Sequence, residues 1–282
     1  MKKAIYLLNF LLLALMIALD VLLILRPTLT LKSTASACFV AVGVINAAYS
    51  FGSGAKKKFP VLMLLGLVVA MAGDIIIYPS GDIWFICGAA LFAVAHIFYV
   101  AAYFCLYKFR IADLIAAVCV FLPSVLFITL APIFDFGGAV MEIVCVAYAF
   151  ILSLMVGKAL SGLSRGTALS VVVAAGSILF YISDLSLLLN MFGTIHKIPR
   201  IICLATYYPA QFLLAFALIL YCERGLNFFK RLYCRIFQTV LKIALPFLPY
   251  KNPSIVDRVA DIPAVLKKNA KSRPLIVTDK TI

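Results

Sequence analysis

Residues 59–78 read FPVLMLLGLVVAMAGDIIIY. At 1.5 Å per residue, about 20 apolar residues in a helix cross the ~30 Å of hydrocarbon in a bilayer. Lys56, Lys57 and Lys58 stop the run on one side, and Pro79, Ser80, Gly81 and Asp82 stop it on the other. Within it stands one ionisable residue, Asp74, which costs at least ~2.5 kcal/mol at mid-bilayer. The stretch therefore predicts a membrane-spanning helix and also marks a carboxylate that lipid alone would not hold.

The same pattern extends in both directions. Spans are expected at 4–25, 33–53, 83–106, 111–131, 139–160, 166–191 and 200–222, about eight in all with the first. The runs are continuous rather than alternating, which excludes a β-barrel, and helices satisfy their own backbone in lipid. The fold class is thus all-α: a polytopic membrane bundle over residues 1–222, followed by a basic tail over 223–282. Met1-Lys2-Lys3 and the apolar run behind them read as the first span rather than a cleaved leader.

Of the 282 residues, 65% are hydrophobic and 13% charged, too little charge to cover a soluble domain. Lys and Arg number 25 against 11 Asp and Glu. They sit at span boundaries and in the tail, not on one face, so nucleic acid is not an expected partner. The eight cysteines form no Cys-x-x-Cys pair and read as small apolar residues, without disulfides or zinc.

Basic residues orient the chain. One side receives Lys2, Lys3, Lys56, Lys57, Lys58, Lys108, Arg110, Lys158 and Arg165; the other receives Arg26, Lys32, Lys197 and Arg200. The excess places both termini in the cytoplasm. In the tail, residues 226–245 alternate apolar positions with Lys230, Arg231, Arg235 and Lys242 at helical spacing. This predicts a basic amphipathic helix on the inner leaflet, with residues 250–282 beyond it polar and disordered. The short basic start leans toward a bacterial cell membrane, the endoplasmic reticulum being the eukaryotic counterpart.

Five ionisable residues fall within spans: Asp20, Asp74, His96, Glu142 and Asp184. Asp20 lies close to Arg26 and the membrane edge, which predicts a local ion pair or interfacial placement. Glu142 falls near a helix start, where a carboxylate meets the positive dipole end. Asp74 is 16 residues past Lys58 and Asp184 is 19 past Arg165, which puts both about 24–28 Å from the inner boundary. Gly66, Ala70 and Asp74 share a small-residue face. Ser177, Tyr181 and Asp184 share another, as do His96, Tyr99 and Tyr103. Tyr207, Tyr208 and Gln211 form a polar patch around Pro209. Together these groups predict one wet cavity between helices, weighed against plain interhelical hydrogen bonding.

Four segments together resemble the lysoplasmalogenase (YhhN-like) family. They are Gly73-Asp74, GAALFAVAHIFYVAAY at 88–103, GSILFYISDLSLLLNMF at 176–192 and ATYYPAQFLLAFAL at 205–218, with Tyr148 and Met155 as minor additions. The resemblance covers about residues 1–222. Where the family often opens its second span with Lys-Pro, Lys32 is followed here by Ser33-Thr34, which counts against a head-group role for Lys32. The resemblance implies hydrolysis of the vinyl ether bond of a lysoplasmalogen to a fatty aldehyde and a glycerophospho-ethanolamine or -choline. The partners are then a lysophospholipid substrate and membrane lipid, with no cofactor and no metal. Such cleavage needs a strong acid, a nearby anion and a placed water, work that two carboxylates can divide. Asp74 and Asp184 are the expected catalytic pair, and His96, Tyr99, Tyr208 and Gln211 are expected to orient water or substrate.

Three other readings use the same residues. A metal hydrolase would ligate through Asp74, His96 and Asp184. An intramembrane aspartyl protease would need Gly-x-Gly-Asp, where residues 71–74 read Met-Ala-Gly-Asp. A lipid or proton-coupled transporter would use the aspartates as a relay, although no internal repeat supports it.

Overall fold

The structure, a computed structural model, describes residues 2–79, 81–222, 236 and 238–240. Eight helices follow one another: α1 (Lys2–Leu25), α2 (Leu29–Gly52), α3 (Lys58–Ile76), α4 (Asp82–Leu106), α5 (Ile111–Leu130), α6 (Ala139–Gly162), α7 (Ala168–Phe192) and α8 (Lys197–Cys222). A 3-10 turn, Leu163–Arg165, joins α6 to α7. All eight are long and apolar enough to cross a membrane. The chain is an all-α, multi-pass integral membrane protein, and no strand occurs among the described residues apart from an isolated bridge between Phe134 and Gly193.

Helix ends follow local chemistry. Thr28 caps α2 by accepting from the Leu31 amide at 3.2 Å, so the helix begins four residues before the expected position 33. Thr167 and Ser170 close a capping box at the start of α7. The helix α8 starts at Lys197 rather than 200, because basic side chains at a membrane boundary bend toward water without ending the helix. Gly166, at φ 60°, supplies the left-handed residue that turns the chain into α7.

Consecutive helices pair as hairpins, α1 with α2, α3 with α4, α5 with α6 and α7 with α8. α8 also packs on α1, α2 and α3, while α6 joins α4 to α7. Small residues permit the close approaches. At Gly157 in α6, a Cβ would overlap the backbone of Ala117 in α5. At Gly66 in α3, a Cβ would fall on the Tyr99 ring of α4.

Two polar structures hold helices together away from the aspartates of α3 and α7. Asn9 donates to Asn46 at 2.8 Å, and Asn46 donates to the Ala215 carbonyl at 3.1 Å, tying α1, α2 and α8. Lys158 of α6 forms a buried ion pair with Asp113 of α5 and donates to the Lys108 carbonyl at 2.9 Å. Lys158 also lies over the Phe104 ring at 4.4 Å.

Two expectations change. Asp20 is buried and makes no ion pair with Arg26; its Oδ1 has no hydrogen-bond partner. α1 continues to Leu25, and six residues is about one and two-thirds turns, so the Asp20 and Arg26 side chains leave on different faces. Among the described cysteines, Cys38 and Cys145 are buried, whereas Cys87, Cys105 and Cys119 lie on the helix exterior. An exterior facing lipid tolerates such residues as well as the core does. Glu142 occupies the first turn of α6, as expected.

The chain divides into units 1–231 and 232–282. In the second, residues 236 and 238–240 are helical and exposed. The remainder of the expected amphipathic segment 226–245, and the tail beyond it, lie outside the described residues.

Candidate active site

Asp74 sits two residues before the end of α3 and is almost wholly buried. Its Oδ2 accepts from the Ser36 hydroxyl at 2.6 Å and the Tyr207 hydroxyl at 2.7 Å. Its Oδ1 lies 3.5 Å from the Lys32 ammonium. Every neighbour donates, which is the surrounding a carboxylate anion takes. Lys32, set aside on sequence grounds, is thus the cation beside Asp74. Ser36 one turn along α2 shares its face.

Asp184 of α7 stands in a different setting. Its Oδ2 accepts from the Tyr148 hydroxyl of α6 at 2.6 Å. His96 Nε2 of α4 lies 3.7 Å from the same oxygen, beyond hydrogen-bond length. The His96 ring is fully buried and neither nitrogen has a hydrogen-bond partner. It is held by edge-on contacts to Phe180, with ring centroids 4.7 Å apart, and to Tyr148 at 5.4 Å.

Aromatic rings stand between the two carboxylates. Phe180 packs on His96 and also on Tyr207, at 5.4 Å, and Phe92 packs on both Phe180 and Tyr207. The aspartates share no hydrogen bond; each has its own tyrosine.

A cavity of about 60 Å³ reaches Asp184, enough for several water-sized groups. Residues of α4, α5, α6 and α7, together with Ile77 just past α3, line it. Its polar groups are Asp184, Tyr148, Tyr181 and Ser124, and the rest of the wall is almost entirely apolar. Ser124 and Tyr181 are hydrogen-bonded to each other at 2.8 Å. Ile77, Phe85, Ile128, Val144 and Leu188 line it toward the ends of their helices opposite Lys58, Lys108, Arg110 and Arg165. That end is packed with aromatics: Phe85 against Phe192 at 5.0 Å and Phe192 against Phe136 at 5.1 Å. The Asp135 amide donates to the Phe192 carbonyl at 2.8 Å, fastening the α5–α6 loop there. Lys32, Ser36, Asp74 and Tyr207 do not line the cavity.

The remaining expected residues distribute themselves around this core. Tyr99 and Gln211 are fully buried and bonded to each other at 2.9 Å. Tyr208 is buried too, but its hydroxyl donates to the Lys32 carbonyl at 3.5 Å rather than to either carboxylate. Tyr207 takes the place expected of Tyr208. Spacing did not separate the two, since Tyr207 and Tyr208 lie four and three residues from Gln211 and either could share its face. Tyr103 bonds Ser177 at 2.9 Å. The expected face of Ser177, Tyr181 and Asp184 therefore fans out to α4, α5 and α6. Among the described residues no three His, Cys, Asp or Glu side chains converge as a metal site would require.

Gly66 fixes where this arrangement can lie, because Tyr99 fills the space its missing side chain leaves. Gly66→Val is expected to lower stability by about 1–3 kcal/mol through overpacking. A reduced melting temperature of the detergent-solubilised protein is the measurement.

The model of the YhhN family matches residues 28–218. A protein named lysoplasmalogenase TMEM86A from Homo sapiens is 29% identical over 162 residues, 56% of this chain and 65% of that protein. The protein of the same name from Bos taurus is 29% identical over 164 residues, with the same coverage. The match thus spans less than two-thirds of the length of these curated relatives, 65%, and just over half of this chain. No solved structure gives a significant match. The matched region begins just before α2 and ends within α8, so it contains Lys32, Asp74, His96, Tyr148, Asp184, Tyr207 and Gln211. With its model matched over more than half the chain, this protein belongs to the YhhN family.

Proposed function

We propose that the protein hydrolyses the vinyl ether bond of a lysoplasmalogen, releasing a fatty aldehyde and a glycerophospho head group. The observation that carries this reading is Asp184 at an apolar cavity inside a membrane bundle, with the unbonded His96 nitrogens beside it. The names of the relatives agree with it.

The chemistry fits the placement. An alkenyl chain occupies the apolar cavity and brings its double bond to Asp184. The protonated carboxyl transfers its proton to the alkene carbon remote from the ether oxygen. The adjacent carbon becomes an oxocarbenium ion, and the carboxylate left behind faces it. Water oriented by His96 adds to that carbon and returns a proton to Asp184 through the imidazole. The hemiacetal then collapses: the carbon–oxygen bond to glycerol breaks, the glycerol oxygen takes the hydroxyl proton, and the aldehyde leaves. Asp74, held as an anion by Lys32, Ser36 and Tyr207, stabilises the developing positive charge from behind the aromatic wall. Asp184 thus supplies the acid–base steps and Asp74 the fixed negative charge. With the basic loops in the cytoplasm, the cavity belongs to the opposite half of the bilayer.

Purified protein in detergent is expected to release aldehyde from a lysoplasmalogen without any ion gradient. A transporter would release none, and absence of aldehyde from correctly folded protein would reject the hydrolase reading.

A further inference from the structure

Tyr99, Gln211 and Tyr207 form a hydrogen-bonded string that ends on Asp74. Tyr99 and Gln211 are fully buried, and Tyr207 nearly so. The Tyr99 hydroxyl donates to Gln211 Oε1 at 2.9 Å, Gln211 Nε2 donates to the Tyr207 hydroxyl at 3.1 Å, and Tyr207 donates to Asp74 Oδ2 at 2.7 Å. The string crosses from α4 to α8 to α3 and touches neither the cavity nor Asp184.

Its direction is determined by counting donors. A tyrosine hydroxyl has one hydrogen. Because Tyr207 oxygen accepts from Gln211, its hydrogen points to Asp74. Turning the Gln211 amide over would aim its oxygen at Tyr207 and its NH2 at Tyr99. Tyr207 would then donate to Gln211, Asp74 would lose a donor, and the Tyr99 hydrogen would be buried without an acceptor. A buried donor without an acceptor is strongly disfavoured. Tyr99 therefore fixes the amide, and the amide fixes Tyr207.

We propose that Tyr99 and Gln211 are positioning residues: acting only through Tyr207, they hold Asp74 as an acceptor-only anion for the reaction at Asp184. This rests on the hydrolase reading above and gives these two residues a task other than contact with water or substrate.

Gln211→Glu tests the direction of the string. A protonated carboxyl at 211 reproduces the amide, accepting from Tyr99 and donating to Tyr207. An ionised one only accepts, and turns the Tyr207 hydrogen away from Asp74. Wild type is expected to lose activity at alkaline pH as Asp184 gives up its proton, and aldehyde release by Gln211→Glu is expected to acquire an additional loss that sets in at lower pH. The fall is about ten- to a hundredfold in kcat with KM unchanged, the size of one charge-assisted hydrogen bond. In a Tyr207→Phe background the additional loss should vanish. The titratable groups around the string are Lys32, Asp74, Asp20, His96, Tyr103, Tyr208 and Asp184. All are common to wild type and variant, so a new alkaline limb belongs to position 211.

Infrared spectroscopy gives a readout that needs no turnover. The protonated-carboxyl band assignable to Asp74, by comparison with Asp74→Asn, should be absent in wild type and present in Tyr207→Phe and in alkaline Gln211→Glu. Superimposable pH profiles, or an Asp74 band indifferent to these substitutions, would overturn the string. If wild type releases no aldehyde, the hydrolase reading fails while the infrared comparison still decides this one.

Discussion

Asp184→Asn is expected to lower aldehyde release by about a hundred- to ten-thousandfold, the range in which a general acid contributes. Asparagine keeps the shape and can still accept from the Tyr148 hydroxyl, now 2.6 Å from Oδ2. It has no proton to give to carbon, and the first bond of the proposed reaction cannot form without one. Fold and insertion should survive, because the exchange removes a carboxylate that has no cationic Lys or Arg partner among the described residues. The measurement is kcat of the purified variant beside its elution profile and helical signal. Turnover within a few-fold of wild type, from a protein that elutes normally, would remove Asp184 from the chemistry.

Asp113→Ala is expected to be the most destabilising exchange outside that site. Lys158 is almost wholly buried, and Asp113 is its ionic partner. Removing one member of a buried pair leaves a charge without its counter-charge, typically about 3–5 kcal/mol. The Lys108 carbonyl and the Phe104 ring retain part of the contact, so the lower end applies. Melting temperature in detergent should fall clearly in Asp113→Ala and recover in the double variant Asp113→Leu with Lys158→Met, where no charge is left to bury. A double variant as unstable as the single one would show that shape at this point matters more than charge.

The helices were legible because bilayer thickness limits their length, and boundary chemistry moved them only by a few residues. The shift at α2 came from Thr28, whose capping hydroxyl precedes the apolar run. Asp74, His96 and Asp184 were legible for a related reason: an ionisable group in hydrocarbon draws attention to itself. Their partners were harder. Lys32 meets Asp74 only through the rotation of α2 about its own axis, which packing against α3 and α8 determines. Tyr148 was visible only as a minor part of the family resemblance, with no partner for its hydroxyl. Tyr207 and Tyr208 were not separable, since both lie within about a turn of Gln211 and only the rotation of α8 against α3 decides which hydroxyl reaches Asp74. Asp113 and Lys158 were hidden by treating Lys158 as a boundary charge alone.

The wall of the cavity has one further property. Among the described helices α5 packs its backbone closely only on α6, and on its cavity side it meets α7 through the Ser124–Tyr181 hydrogen bond. The opposite wall includes Phe92, which belongs to the closely packed core and rests on Phe180. In the proposed reaction, the enclosure would be stiff where proton transfer demands fixed distances and compliant where a hydrocarbon tail must be admitted. A void of about 60 Å³ can widen by letting α5 yield sideways into fluid lipid, while the aspartates, anchored on α3 and α7, keep their places.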